Sequence, residues 1–241
     1  MARKADLRRQ RAGTVLNLTS REQESELGHA LVDTVAWLQE EFSVQLDRQR
    51  AWALRDIVGA LREEFPDVPF AEPQERSHMR PDGGILCLVD REGIRHPILI
   101  VEVKNQGTND LRAAEGKARQ AIGNAIERLG KNVIGFRTAM LSEGIMPFVC
   151  FGYGCDFDES RSNVLDRVAT IAMFGPLNEV NVVNQGDGGL FNRGSFFFRV
   201  EEWSREEMVE VMLEVACRSI YYYYAKFGTE WFPPPATLDL F

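Results

Sequence analysis

Two carboxylates and a lysine near the middle of the chain have types and spacing suited to the hydrolysis of phosphodiesters. Asp82 follows a proline, and Glu102 and Lys104 stand about twenty residues further on as a Glu-x-Lys pair. Carboxylate oxygens are ligands that Mg²⁺ prefers. An ammonium group can orient the attacking water or stabilise the negative charge of the transition state, and the sequence favours neither role for Lys104. The pattern is short, so its meaning depends on the elements that position it.

Two predicted strands carry this pattern. Residues 84–90 and 96–104 are aliphatic runs, separated by a charged turn that contains Gly93, and we expect them to form a β-hairpin. Aromatic and β-branched runs predict further strands, and helical periodicity predicts helices between them. The predicted strands are 147–153 and 195–200; the predicted helices are 21–41, 48–65, 164–172 and one capped by Ser204 and Glu207. This order predicts an α/β fold with a central mixed sheet flanked by helices.

Pairing arithmetic brings the three polar residues together. If the hairpin closes around its glycine, paired residue numbers sum to about 186, which places Asp82 opposite Lys104 and diagonal to Glu102. Side chains alternate along a strand, so Glu102 and Lys104 share a face. Asp82, Glu102 and the Val103 carbonyl could then hold Mg²⁺. The alternative interpretation is a Lys104 salt bridge at a sheet edge, without catalysis.

Length and composition favour an ordinary globular enzyme. The chain has 241 residues, 44% of them hydrophobic, which we expect to fold as a single domain over residues 1–241 with a mobile basic arm at residues 1–20. No apolar segment is long enough for a membrane span or a signal peptide, so we expect a cytoplasmic protein. The four cysteines and three histidines match no zinc pattern, and we expect reduced thiols.

Charge is distributed unevenly along the chain. The net charge is −8, which argues against a polyanionic partner, but residues 104–131 contain six bases and three acids. Within this window we expect an extended segment followed by a helix that begins at Asn124. Glu127 and Arg128 then lie in its first turns, and Asn, Glu and Arg are side chains that recognise base edges. The alternative is that Glu127 and Arg128 are only a cap and a surface charge.

Five segments of the sequence resemble, in order, the EcoRI family of type II restriction endonucleases, which belongs to the PD-(D/E)xK nuclease superfamily. They are SHMRPDGGI (77–85), ILIVEVKNQG (98–107), GNAIER (123–128), MLSEGIMPFVCF (140–151) and LDR (165–167). The resemblance implies a restriction-endonuclease-like core, with catalysis and recognition in residues 78–174. It implies a homodimer that cleaves a palindromic duplex with central AATT, using Mg²⁺ and leaving 5′-phosphate ends, and a cognate DNA methyltransferase in the same system.

The same resemblance assigns roles to individual residues. It implies that Asp82, Glu102 and Lys104 are catalytic. The inner bases would be recognised by Asn124, Ala125, Glu127 and Arg128, with Gln106 near the thymines, Arg167 near the outer base pair and Arg80 on a phosphate. Gln120 is a further expected DNA contact. At Asn105, Gln120 and Val164 the sequence departs from the family pattern, so the outer base pair stays open and GAATTC is a first candidate.

Two other functions compete with this one. A DNA-binding module with an inactive hairpin would not need all three catalytic residue types. A structure-specific repair nuclease of the same fold would not need the GNAIER segment.

Overall fold

The computed structural model describes residues 15–105, 116, 124–154, 157 and 164–234, and for residues 15–22, 105, 124 and 125 it describes the backbone alone. In chain order the elements are α1 (Val15–Phe42), β1 (Leu46–Gln49), β2 (Trp52–Ala53), α2 (Leu54–Glu64), β3 (His78–Met79), β4 (Gly84–Val89), β5 (Arg95–Asn105), α3 (Asn124–Ala139), β6 (Phe148–Tyr153), α4 (Val164–Ile171), β7 (Ser195–Arg199) and α5 (Arg205–Phe227). Short 3₁₀ turns cover Asp187–Phe191 and Thr229–Trp231.

A five-stranded mixed sheet forms the centre of the fold, in the order β1-β4-β5-β6-β7, and β2 pairs separately with β3. Strands β1, β4 and β5 are antiparallel neighbours, whereas β6 and β7 run parallel to β5. All residues of β4 and β6 are buried, which explains why these segments are continuous apolar runs rather than alternating ones. The expected α/β fold with a mixed sheet is confirmed.

Helices cover both faces of this sheet. On one face α1 and α5 pack against each other and against β5. On the other face α3 lies over β6, where the ring of Phe136 stacks on that of Phe148 at 5.9 Å between centroids, and α4 packs beside α3. Because neighbouring residues of β5 point to opposite faces, Val101 faces α1, and Glu102 faces α3. The sheet therefore presents Glu102 to the helix predicted to recognise DNA.

The predicted hairpin is present, but its register differs by one residue near the site. Gly84 pairs with Val101 and Ile85 with Ile100, a sum of 185, and a bulge between Leu86 and Cys87 changes the sum towards the turn. Asp82 therefore lies beside Val103 rather than opposite Lys104. A bulge adds an unpaired residue, and an uninterrupted aliphatic run gives no sign of it.

The predicted helix over residues 48–65 is wrong at its start. Leu46–Gln49 is instead the edge strand β1, and the helix begins only at Leu54 after the short strand β2. An edge strand of four residues is too short for its periodicity to be separated from that of a helix. Of the residues expected to form a basic arm, 1–14 lie outside the described part and 15–20 belong to α1.

Other expectations about local structure are confirmed. Helix α3 begins at Asn124, and α5 has a capping box in which Ser204 and Glu207 each accept a hydrogen bond from the other residue's backbone. Within the described residues, Cys87, Cys150 and Cys217 are free thiols, and no helix is long and apolar enough to cross a membrane. Cys155 and the extended segment expected before Asn124 lie outside the described residues, apart from Gly116.

Candidate active site

The candidate site lies at the edge of the sheet where β5 ends and β4 begins. Glu102 and Lys104 belong to the last residues of β5, and Asp82 precedes the start of β4 by two residues. The antiparallel pairing of these strands brings the two segments side by side, with the backbone N–H of Gly83 bonded to the carbonyl of Val101 at 2.9 Å. The hairpin thus places residues twenty positions apart in direct contact.

Glu102 is buried, and its carboxylate is held by polar groups on three sides. The exposed fraction of the residue is 1%. Its Oε2 accepts a hydrogen bond from the backbone N–H of Asp82 at 3.2 Å, and its Oε1 accepts one from Nδ2 of Asn132 at 3.1 Å. The same Oε1 pairs with the ammonium of Lys104. A buried carboxylate is tolerated when it is paired and hydrogen-bonded, and these contacts meet that condition.

Three oxygen atoms converge on the ammonium group of Lys104. Its Nζ donates to Oδ2 of Asp82 at 3.0 Å and to the Val103 carbonyl at 3.1 Å, in addition to its pair with Oε1 of Glu102. Asp82 is fixed from the other side, because its Oδ2 also accepts the backbone N–H of Val103 at 3.2 Å. The carbonyl and the two carboxylates therefore already surround one cationic position.

Burial and charge act in opposite directions on the ionisation of this cluster. Burial raises the pKa of Glu102 above its ordinary value; the charge of Lys104 lowers it and that of Asp82 raises it, and the net direction is upward. Burial alone would lower the pKa of Lys104, but the two nearby carboxylates outweigh it and the net direction is also upward. Lys104 therefore stays an ammonium and supplies the positive charge that the buried carboxylate needs.

Arg48 on β1 fixes the turn that carries Asp82. Its guanidinium donates two hydrogen bonds to the carbonyl of Gly83, from Nε at 3.1 Å and from a terminal nitrogen at 2.9 Å. The turn requires glycines, since a Cβ on Gly83 would lie 2.8 Å from that of Val101, and Gly84 adopts a φ of +82°. The edge strand that the sequence did not predict thus takes part in the site.

A groove beside Asp82 carries positive charge. It is lined by Arg48, Arg50 and Arg80 together with residues of the turn. Arg80, which the resemblance placed on a phosphate, is exposed two residues before Asp82. Arginine side chains at such a position suit the binding of a nucleic-acid backbone.

The expected base-reading residues are only partly within the described structure. Glu127 and Arg128 are exposed on the first turns of α3, and Arg167 is exposed on the neighbouring helix α4. These two helices are in contact, with Ile171 packed against Gly130. Gln106 and Gln120 lie outside the described residues. Asn124 and Ala125 are described by backbone only, at the start of α3.

Sequence reasoning missed two residues that contact the candidate site. Arg48 lies 35 positions before the carbonyl that it binds, and Asn132 lies 30 positions after Glu102. No local pattern pairs residues at these separations. The one available signal was that Asn132 follows Arg128 by four residues, which puts both on one stripe of a helix.

The donor set suits a hard divalent cation. The predicted ligands Asp82, Glu102 and Val103 offer two carboxylates and one carbonyl, all of them oxygen donors as Mg²⁺ prefers. Their convergence on the ammonium of Lys104 shows that the three can face one cation together. The described residues contain no group of three or more His, Cys, Asp or Glu side chains that could hold a metal.

Comparison with known proteins identifies one family and two similar enzymes. Residues 10–229 match the family described as restriction endonuclease EcoRI. The type II restriction enzyme RsrI of Cereibacter sphaeroides is 32% identical, over 76% of this chain and 78% of its own. The type II restriction enzyme EcoRI of Escherichia coli is 28% identical, over 68% of this chain and 72% of its own.

The mixed sheet and these similarities define the class of the protein as a nuclease with a restriction-endonuclease-like fold. Within that class, the chain belongs to the EcoRI family of type II restriction endonucleases, which act on DNA and are metal-dependent.

Proposed function

We propose that this endonuclease cleaves a palindromic duplex site with a central AATT, in a Mg²⁺-dependent hydrolysis that leaves 5′-phosphate ends. GAATTC is the first candidate site, with the outer base pair open. The observation that carries the catalytic part is the convergence of Asp82 Oδ2, Glu102 Oε1 and the Val103 carbonyl on one cationic position. The assignment of the central bases rests on the GNAIER segment. Its Glu127 and Arg128 are exposed on α3.

In the proposed reaction, water attacks the scissile phosphorus and the bond from phosphorus to the 3′ oxygen breaks. The water loses a proton to solvent and the leaving 3′ oxygen gains one, which gives a 3′-hydroxyl and leaves the phosphate on the 5′ end. Asp82, Glu102 and the Val103 carbonyl would hold Mg²⁺, which lowers the pKa of a bound water and neutralises charge on the phosphoryl oxygens. Lys104 provides an ammonium group that contacts the same oxygens in the structure and would orient the water or stabilise the transition state. Arg80, which lines the neighbouring groove, would bind a phosphate of the DNA backbone.

Recognition is proposed to come from α3 and its neighbours. Arg128 and Glu127, with Asn124 and Ala125, would contact the inner bases, and Gln106 and Gln120 would lie near them. Arg167 on α4 would contact the outer pair.

A homodimer follows from the symmetry of the proposed site. Two identical subunits related by a two-fold axis can present one catalytic edge to each strand of a palindrome. Such an enzyme would also meet its own short site in the DNA of its cell, so we propose cytoplasmic action beside a cognate DNA methyltransferase that protects those sites.

A plasmid digest tests this proposal directly. Plasmid carrying one GAATTC site and matched plasmids with a single changed base pair are incubated with the protein in Mg²⁺ or in chelator, and the ends are sequenced. We expect linear product at sites with central AATT, 5′-phosphate ends and no product in chelator. Discrete cutting at sites without AATT would contradict the recognition part, and nicking that depends on DNA structure would favour a repair nuclease.

A variant tests the catalytic assignment separately. Glu102→Gln keeps the size of the side chain and removes its negative charge. We expect cleavage to be lost, while specific DNA binding stays measurable. Turnover close to that of the wild type would remove Glu102 from the mechanism, and absence of cleavage by the wild type would favour a DNA-binding module.

A further inference from the structure

Among the side chains that the structure describes, one polar side chain of helix α3 contacts the proposed catalytic residues. In the described part of the chain, the only side-chain hydrogen bond between α3 and the proposed catalytic residues runs from Nδ2 of Asn132 to Oε1 of Glu102, at 3.1 Å. That oxygen is the one that also pairs with Lys104. The bond therefore joins the helix proposed to recognise the bases to an atom of the proposed metal site.

Asn132 and Arg128 occupy the same stripe of α3. They are four residues apart, which is about 6 Å along a helix axis, and side chains at this spacing are neighbours on one face. Arg128 is exposed at the end proposed to meet DNA, whereas Asn132 is half-buried against the sheet. A small movement of the helix on docking would be transmitted to Asn132, because a helix of sixteen residues moves largely as one body.

The helix is also in close contact with the segment that precedes the turn of Asp82. Gly135, three residues beyond Asn132, leaves room for the side chain of Met79, and a Cβ at that position would overlap with the sulfur of Met79. Met79 precedes Asp82 by three residues in the segment that leads to the catalytic turn. Helix α3 is therefore packed against the segment of Asp82 and bonded to the side chain of Glu102.

Water has little access to replace the Asn132 hydrogen bond. The exposed fraction of Glu102 is 1%, so a lost donor leaves its Oε1 with Lys104 as the remaining partner. The orientation of the carboxylate would then be set by Lys104 and by the backbone N–H of Asp82 alone, and the carboxylate would lose the direction that the Asn132 hydrogen bond gives it. Orientation within a fraction of an ångström matters for catalysis, so this change would slow the reaction without removing any catalytic group.

We propose that Asn132 is a positioning residue that couples docking of α3 on the correct bases to the orientation of Glu102. Correct base pairs then accelerate the chemical step in addition to strengthening binding. This inference rests on the proposed function, in which α3 recognises bases and Glu102 is a catalytic ligand.

The test compares Asn132→Ala and Asn132→Asp with the control Thr138→Ala, which alters an exposed residue of the same helix. Single-turnover cleavage is measured with saturating enzyme on the preferred site and on a site with one changed inner base pair, and DNA binding is measured without Mg²⁺. Asn132→Asp keeps the shape of asparagine, but it removes the donor and places a carboxylate beside Glu102.

We expect Asn132→Ala to slow cleavage of the preferred site about 10- to 100-fold, with binding changed less than about threefold. The rate at the changed site should fall much less, so that kinetic discrimination decreases. Asn132→Asp should be slower still, and Thr138→Ala should behave as wild type. A role confined to folding would slow both sites equally, and this outcome would overturn the proposal, as would unchanged cleavage by both Asn132 variants.

A double variant separates failure of this inference from failure of the proposed function. If Asn132 transmits the effect of Arg128, Asn132→Ala should add little to Arg128→Lys at the preferred site, because coupled residues give non-additive effects. Fully additive losses would overturn the coupling while leaving the proposed function intact. Wild-type turnover by Glu102→Gln would instead overturn the proposed function, and the coupling with it.

Discussion

The guanidinium of Arg48 forms two hydrogen bonds with the backbone carbonyl of Gly83, the residue immediately after Asp82. This contact ties the edge strand β1 to the turn that positions the first carboxylate. We expect Arg48→Met to lower single-turnover cleavage about 10- to 100-fold, because a small displacement of a catalytic group costs that much. Saturating enzyme separates this effect from weaker DNA binding.

The control is Arg55→Met, since Arg55 pairs only with its exposed neighbour Asp56 in the described structure. Cleavage of Arg48→Met at the wild-type rate would show that the turn holds Asp82 without this contact.

Removal of the Lys104 charge should separate metal binding from catalysis. In Lys104→Met a metal ion becomes the only cation available to Asp82 and Glu102, so we expect millimolar Mg²⁺ to raise the melting temperature more than in the wild type. Cleavage should fall at least about 100-fold, because removal of one group that stabilises transition-state charge has an effect of that order. The matched control is Lys226→Met, which breaks an ion pair with Glu143 on the other side of the molecule. Equal thermal shifts in wild type and Lys104→Met would argue against a shared cation position.

Replacement of Arg128 by lysine tests base recognition. Lysine keeps the charge but loses the planar fork that can bind a base through two hydrogen bonds. We expect the ratio of cleavage rates between the preferred site and a site with one changed inner base to fall by about 5- to 150-fold, which corresponds to ~1–3 kcal/mol. Arg137→Lys, near the end of the same helix, serves as the control. An unchanged ratio would place recognition of that base elsewhere.

The buried pair of Asp90 and His96 predicts how stability depends on pH. The Asp90 carboxylate accepts hydrogen bonds from His96, from Trp231 and from the backbone of Glu92 and Ile94. Burial alone would raise the pKa of Asp90, but these hydrogen bonds outweigh it and the net direction is downward. A lowered folded-state pKa means that the contribution to stability is present above the unfolded-state pKa of about 3.9 and is lost as pH falls through the lower folded-state value.

We therefore expect Asp90→Asn to lower the free energy of unfolding at neutral pH by about 1–3 kcal/mol, the usual contribution of hydrogen bonds to a charged group. Between about pH 5 and pH 3 the difference from the wild type should narrow, because only the wild type has an ionisable carboxylate at position 90. Denaturant unfolding at several pH values measures both effects. A difference that stays constant with pH would mean that the charge of Asp90 does not stabilise the fold.

The hairpin could be predicted from the sequence because the residues that specify it are close together in the chain. Both strands are aliphatic runs on either side of a glycine turn, so their pairing brings Asp82 and Glu102 to the same end of the hairpin, although the register differs by one residue from the predicted one. The start of α3 at Asn124 and the cap of α5 at Ser204 were likewise predictable from neighbouring residues.

The remaining features depend on contacts between distant parts of the chain. The bulge between Leu86 and Cys87 shifts the register by one, and neither residue type indicates it. Strand β1 is defined by its pairing with β4, and the contacts of Arg48 and Asn132 join different elements. A single sequence predicts which residues are chemically able to form a site, but it does not show which distant side chains hold them in place.

The change from antiparallel to parallel pairing at β5 has a consequence for how such enzymes diversify. The strand with Glu102 and Lys104 has an antiparallel neighbour on one side and a parallel one on the other. Strands β5 and β6 therefore end at the same edge of the sheet, which is also where the two carboxylates lie. Under the proposed function, substitutions in the segments after these strands would change which DNA is chosen without replacing Asp82, Glu102 or Lys104, so new target preferences could evolve around one set of hydrolytic residues.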